Sequence, residues 1–214
     1  MEVIQEIRKQ RGKALMTLSS GDVIRVPLGL LRERPLKEGD AIDPEEYDNW
    51  LMVRQYRYAL DRAVSYLAAR AHSRHEIEEK LLRIGYRPCT VEMVLYKLER
   101  ERLLDDADFA RQWVESRSHR KLGRQRIALE LRRKGVSADE AEAALSLLDP
   151  EALLEDATSL AAKALRSAKR DEDPRKTASR IHAMLARRGF NWETAKAAVS
   201  AAMAEMDDDG FTDE

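Results

Sequence analysis

The segment "IALELRRKGV", residues 127–136, contains a pattern that occurs three times along the chain. Related segments are "IEEKLLRIGY" at 77–86 and "IHAMLARRGF" at 181–190. Each has an isoleucine eight residues before a glycine, a leucine four residues before it and an apolar residue directly after it. The glycines recur about every 50 residues, and a repeat of this length with helical periodicity predicts stacked supersecondary units.

The repeated glycine predicts how one helix of every unit ends. In a Schellman motif the residue after the helix takes a left-handed conformation, which glycine adopts without the steric penalty of a Cβ atom. The motif also packs an apolar residue beyond the glycine against one from the last turn. All three segments have such a pair: Leu81 with Tyr86, Leu131 with Val136, and Leu185 with Phe190. We therefore expect structural caps at Gly85, Gly135 and Gly189.

Helix-start signals divide the rest of the repeat region. Ser73 with Glu76 and Ser137 with Glu140 have the S-x-x-E form of a capping box. Asp149 followed by Pro150 predicts another start, because aspartate caps a helix and proline fits its first position. Further helical segments flank each capped helix, so residues 57–203 predict three tandem three-helix units.

The N-terminal region has a different pattern. The runs "KALMTL" and "VIRVPL" flank "SSGD", which has turn chemistry, so a β-hairpin is expected. "MEVIQEIRKQ" predicts a further strand, and Asp43 before Pro44 predicts a helix start. The expected fold is mainly α, with tandem helical repeats and a small N-terminal β-hairpin extension. Its expected parts are the hairpin extension at 1–43, repeats at 44–103 (with a lead-in helix), 104–148 and 149–204, and an acidic disordered tail at 205–214.

Composition limits the classes of function. The chain has 36% charged residues with a formal net charge of −1, so overall charge does not demand a nucleic-acid partner. Its single cysteine, Cys89, excludes a disulfide framework or a cysteine-cluster metal site. We expect a soluble cytoplasmic protein, because no secretory signal or long apolar run is evident.

Candidate catalytic groups are sparse. His72 and His75 are three residues apart, but without a third ligand nearby they are better explained as helix-terminal histidines than as a metal pair. The acidic pair Asp105 and Asp106 fits helix capping better than acid–base chemistry. We therefore expect no enzymatic activity, no metal and no cofactor.

Positive charge is concentrated in the second repeat. Residues 111–134 contain nine Lys or Arg and two Glu. Cations in a last helical turn complement the helix dipole, which accounts for Arg133 and Lys134 but not for the bases that precede or open the helix. A solvated face remains the alternative to a docking surface. The candidate docking residues on this basic face are Arg117, Arg120, Lys121, Arg124, Arg126, Arg132, Arg133, Arg180 and Arg187.

A helix, a glycine turn and a second helix also suggest a DNA-reading helix-turn-helix motif. The helix after the turn would then present basic or amide side chains to base edges. Here "SADEAEAALSLL" has acidic residues and no base, and "NWETAKAAVSAAM" has the single Lys196. Base reading by these helices is therefore disfavoured.

Three motifs in order resemble the RecX family of bacterial recombination regulators. They are "SRHEIEEKLLRIGY", "LLDDADFARQWVESR" and "KLGRQRIALELRRKGVS", and the resemblance extends over residues 57–203. It implies that the repeats form an elongated, curved solenoid. It also implies a partner, the RecA filament on single-stranded DNA, whose growth and activities such a protein limits.

Two other hypotheses stay open at this stage. The chain could be a nucleic-acid-binding module that acts independently of RecA through phosphate contacts to single- or double-stranded DNA, or a helical adaptor for another partner. We expect a monomer. The sequence leaves open whether the basic face meets protein, DNA or both.

Overall fold

The computed structural model of the chain describes residues 1–168 and 173–209. The chain divides into two compact units, Met1–Asp106 and the part from Ala107 onward. The first unit contains a sheet and one set of helices, and the second contains helices only. The mainly helical fold class with an N-terminal hairpin is confirmed.

The first unit begins with a four-stranded antiparallel sheet of order β3-β2-β1-β4. Its strands are β1 (Glu2–Gln10), β2 (Lys13–Leu18), β3 (Val23–Pro27) and β4 (Ala41–Ile42). The predicted hairpin and the further strand are therefore confirmed. Two elements were not predicted, α1 (Leu28–Glu33) and β4, because a six-residue helix and a two-residue strand are too short to show periodicity.

Helix α2 (Pro44–Ala69) joins the sheet to the first repeat. Its cap is the predicted one, since the Asp43 carboxylate accepts hydrogen bonds from the amides of Glu45 and Glu46 at 2.9 and 3.2 Å. The lead-in helix and the first helix of the repeat form one continuous helix. Tyr47 belongs to the sheet core and Ala63 to the helical core, so one helix serves both.

Helices α3 (Arg74–Ile84) and α4 (Pro88–Arg100) pack with the second half of α2 to complete the first repeat. Their core includes the repeated isoleucine and leucine, Ile77 and Leu81, both fully buried. The Ser73 hydroxyl accepts from the Glu76 amide at 3.2 Å, as the capping signal predicts.

The second unit contains two further sets of three helices. One set has α5 (Asp106–Ser118), α6 (Arg124–Arg133) and α7 (Ala138–Leu145). The other has α8 (Pro150–Arg166), α9 (Pro174–Arg188) and α10 (Trp192–Asp209). Both halves of the capping box between Ser137 and Glu140 are present, and the Asp149 carboxylate accepts from the Glu151 amide at 3.0 Å. Of the tail predicted to be disordered, 205–209 lie in α10 and 210–214 lie outside the described residues.

All three repeat glycines end their helices in the left-handed region. Their φ angles are 105° at Gly85, 75° at Gly135 and 90° at Gly189. In each case the glycine amide bonds to the carbonyl three residues back, and the next amide bonds to the repeated leucine's carbonyl five residues back. These are the two bonds of a Schellman motif. The leucine and the apolar residue after the glycine are buried in every repeat.

Replacing Gly135 by valine tests this cap. A β-branched residue at φ 75° should lower the free energy of unfolding by about 1–2 kcal/mol through left-handed strain. Urea unfolding followed by circular dichroism measures the loss. Gly135→Asn is the matched control, because asparagine tolerates this conformation and should cost less. Equal stability of the valine variant and the parent would contradict the assignment.

Candidate functional site

The basic surface is organised by a junction between the second and third repeats. Helix α6 begins where α9 ends. The Gly123 amide donates to the Arg188 carbonyl and the Gln125 amide donates to the Gly189 carbonyl, both at 3.0 Å. The first amides of one helix and the last carbonyls of another lack partners within their own helices. Each set therefore satisfies the other, and the two helix dipoles meet head to tail.

The backbones at this junction are too close for a side chain on either glycine. A Cβ atom on Gly123 would lie 2.3 Å from the carbonyl carbon and oxygen of Gly189. A Cβ atom on Gly189 would lie 2.2 Å from the amide nitrogen of Arg126. Gly189 thus both caps α9 and permits the contact. Sequence reasoning missed Gly123, although it lies directly before the helix within the quoted "KLGRQRIALELRRKGVS".

This junction brings together candidates from two repeats. The Arg188 guanidinium donates to the carbonyls of Arg120 and Lys121 at 3.5 Å. Arg120 and Arg187 are thereby placed at the same junction. Arg132 and Arg133 lie at the other end of α6, about 13 Å along the helix axis. Arg180 lies two turns before Arg187 on α9.

Two of the predicted arginines are paired with Glu130. The Arg117 Nε atom lies 2.7 Å from this carboxylate and the Arg126 Nε atom 3.3 Å from it. The Trp113 indole N–H also donates to Glu130, and the Arg117 guanidinium lies over the Trp113 ring, 3.8 Å from its centroid. Only 15% of the Arg117 side chain is exposed. Burial alone would raise the pKa of Glu130, but the hydrogen bonds and charge of Arg117, with the bonds from Arg126 and Trp113, hold that pKa below its ordinary value.

Two further candidates tie α6 to its neighbours. The Lys121 ammonium pairs with the Asp156 carboxylate at 3.2 Å and donates to the Ser159 hydroxyl at 3.1 Å, both on α8. The Arg124 guanidinium donates to the Leu145 carbonyl at 2.7 Å and pairs with Glu142 of α7. The fold therefore accounts for these bases before and at the start of α6, which dipole complementation left unexplained, but not for Arg120. Arg117, Lys121 and Arg124 serve the second unit's own packing.

Four candidates remain open to a partner. Within the described part of the chain no carboxylate pairs with their side chains, and all four residues are exposed. We call them the open arginines: Arg120, Arg132, Arg133 and Arg187. Arg180 is also exposed, but it is not one of the open arginines because it already interacts with another group of the protein. A surface with unpaired guanidinium groups suits carboxylates or phosphates of a partner, because the fork of donors matches either anion.

The histidine and aspartate considered above as candidates for metal binding or acid–base chemistry, His72 and Asp106, make structural contacts instead. His72 is buried, and its Nδ1 atom lies 3.0 Å from the Arg70 carbonyl. Burial lowers the pKa of His72, against the opposite effect of that hydrogen bond. The Asp106 carboxylate accepts from the Arg74 amide at 2.7 Å, which satisfies the start of α3. Among the described residues, no group of three or more His, Cys, Asp or Glu could hold a metal ion.

The fold defines a class of protein: three-helix domains in tandem, preceded by a small antiparallel sheet. Family models for the RecX first, second and third three-helix domains match residues 59–98, 105–145 and 151–199. The chain belongs to the RecX family of regulatory proteins.

Curated relatives agree with this assignment. A "Regulatory protein RecX" of Mycobacteroides abscessus is 38% identical over 188 residues, which are 87% of this chain and 86% of that protein. One of Prosthecochloris aestuarii is 42% identical over 139 residues, covering 64% of this chain and 89% of that protein. These names describe regulators and refer to no catalytic activity.

Two solved structures are also similar. A structure described as regulatory protein RecX is 26% identical with a TM-score of 0.64, and the match covers 92% of this chain and 98% of that one. RecX from Lactobacillus salivarius is 23% identical with a TM-score of 0.65 over 70% of this chain and 97% of that one, and shows the shared fold. Among the described residues, no helix is both long and apolar enough to cross a membrane.

Proposed function

We propose that this chain is a cytoplasmic, non-enzymatic regulator that binds RecA filaments on single-stranded DNA as a monomer and inhibits RecA activity. The observation that supports this most directly is membership of the RecX family across all three repeats. The open arginines support a role in docking, because the fold gives them no partner among the described residues. Repeated units also favour avidity from several modest contacts without an active site.

The repeats offer equivalent positions for such contacts. Arg83, Arg133 and Arg187 all lie two residues before the capping glycine of their repeat, on the exposed side of the last turn. Arg83 pairs loosely with Glu79 at 3.8 Å and remains 74% exposed. We propose that this position contacts the partner in more than one repeat.

The central experiment is a RecA ATPase assay on single-stranded DNA. Added protein should lower the rate of ATP hydrolysis at up to stoichiometric amounts relative to RecA. The inhibition should weaken as salt is raised, because exposed charges are screened. Strand exchange is the second readout. The proposal is rejected if neither reaction responds.

A second candidate function is a nucleic-acid-binding module that acts without RecA, and the open arginines favour it to the same extent. Such a module would inhibit RecA only by covering DNA. Raising the DNA concentration at fixed RecA separates the two, since excess DNA relieves competition for DNA but not docking on the filament. Tight and steeply salt-dependent binding to DNA by the protein alone is the signature of the module.

A further inference from the structure

An aromatic stack on the third repeat has no role in the fold's core. Trp192 is the first residue of α10, and 67% of it is exposed. Its indole stacks on the imidazole of His182 from α9, with ring centroids 4.9 Å apart and planes inclined by 26°. Since His182 covers one face of the indole, the large exposed fraction belongs mainly to the other face.

The backbone that carries the indole is held by a helix cap and by the core of the third repeat. The Asn191 side chain accepts a hydrogen bond from the Thr194 amide at 2.8 Å and so caps the start of α10. The helix that starts there is anchored by Ala195, Ala198 and Val199, all buried in the third repeat's core. An aromatic ring that stacks on one neighbour and has its other face open can serve as a stacking platform, because it has few rotatable bonds to order.

Helical spacing places one cation on each of the two helices that form this platform. Lys196 lies four residues after Trp192, on the same face of α10. Arg175 lies seven residues before His182, on the same face of α9 and about 10 Å along it. Both residues are exposed, and neither has an ion pair within the described part of the chain. The nearest carboxylate along the sequence is Glu193, whose side chain is a quarter turn away from Trp192 on the helix.

We propose that Trp192, stacked on His182, binds an unpaired base of single-stranded nucleic acid, with Lys196 and Arg175 contacting the adjoining phosphates. An open aromatic face with nearby cations is the combination that recognises single strands, because every base has a π-face and the backbone is anionic. This site goes beyond the proposed function, and it does not require RecA.

The test is binding of a short oligothymidylate to the full chain, followed by tryptophan fluorescence and by anisotropy of a labelled oligonucleotide. The oligonucleotide should quench the parent's fluorescence. Trp192→Ala should remove most of that quenching and weaken binding roughly fivefold to 100-fold, the range for loss of one stacked base. Trp192→Phe should keep most of the affinity, because phenylalanine retains a face for stacking.

Leu147→Ala is the matched control. Leu147 is 67% exposed in the second unit, as Trp192 is, but its aliphatic side chain has no π-face, so its removal should leave oligonucleotide binding unchanged. Equal affinity of Trp192→Ala and the parent overturns the inference, as does absence of binding by the parent. Fluorescence that responds to RecA without DNA, but not to the oligonucleotide, overturns it in favour of a protein contact. Inhibition of RecA measured with the same variants keeps this outcome separate from the proposed function.

Discussion

Replacing Gly123 by alanine should lower the free energy of unfolding of the second unit by about 3 kcal/mol or more. The added methyl would lie 2.3 Å from backbone atoms of Gly189. Neither backbone can yield without losing the paired amide–carbonyl bonds between α6 and α9. Those groups would then be left without partners at a buried junction, which adds to the cost.

Urea unfolding in a Trp50→Phe background measures this effect. Trp113 and Trp192 then report on the second unit alone, because Trp50 is the only tryptophan of the first. Gln125→Ala is the control in the same unit. Gln125 is exposed two residues after Gly123, and its replacement adds no atom at the junction and keeps the backbone amide. An unchanged unfolding midpoint for Gly123→Ala, with the control, would show that the junction is not as tight as described.

The local parts of this fold are predictable from sequence. The repeat glycine, the leucine four residues before it and the capping residues act within one or two turns, so their pattern is visible in a single stretch. The continuity of α2 was also open to prediction, because no glycine or proline follows Pro44 before Ala69. The first half of α2 packs against the sheet and the second half packs against helices. The buried face of α2 therefore changes along its length, which makes its apolar periodicity harder to follow in the sequence.

The junction and the pairing of charges could not be predicted in the same way. Gly123 has an ordinary φ of −73°, so its need for glycine arises only from the approach of a residue in another repeat. Arg117 belongs to a basic stretch in sequence, yet it lies against Trp113 and Glu130 because α5 and α6 pack together. Charge counts cannot separate a cation of this kind from Arg132 or Arg133, which face solvent.

The charge-reversed double variant Arg132→Glu, Arg133→Glu should inhibit RecA roughly tenfold more weakly than the parent. Both open arginines lie at the end of α6, away from the junction, so their removal leaves the α6–α9 hydrogen bonds and the Glu130 cluster in place. Placing like charges against an anionic partner surface costs binding energy well beyond the loss of the original attraction, and each 1.4 kcal/mol is a factor of ten. The inhibitor concentration that halves RecA ATP hydrolysis is the quantity to measure.

The control for total charge is Arg57→Glu, Arg62→Glu on α2, where both residues are exposed and the net charge changes by the same amount. Circular dichroism checks that both variants remain folded, since acids in a last helical turn oppose the helix dipole.

If the α6 variant inhibits as well as the parent, the open arginines of α6 are not part of the docking surface. If inhibition is lost while oligonucleotide binding by the protein alone is kept, the arginines meet protein. Loss of both, with a shallower salt dependence of DNA binding, assigns them to phosphate, because each lost phosphate contact reduces the salt slope by about one.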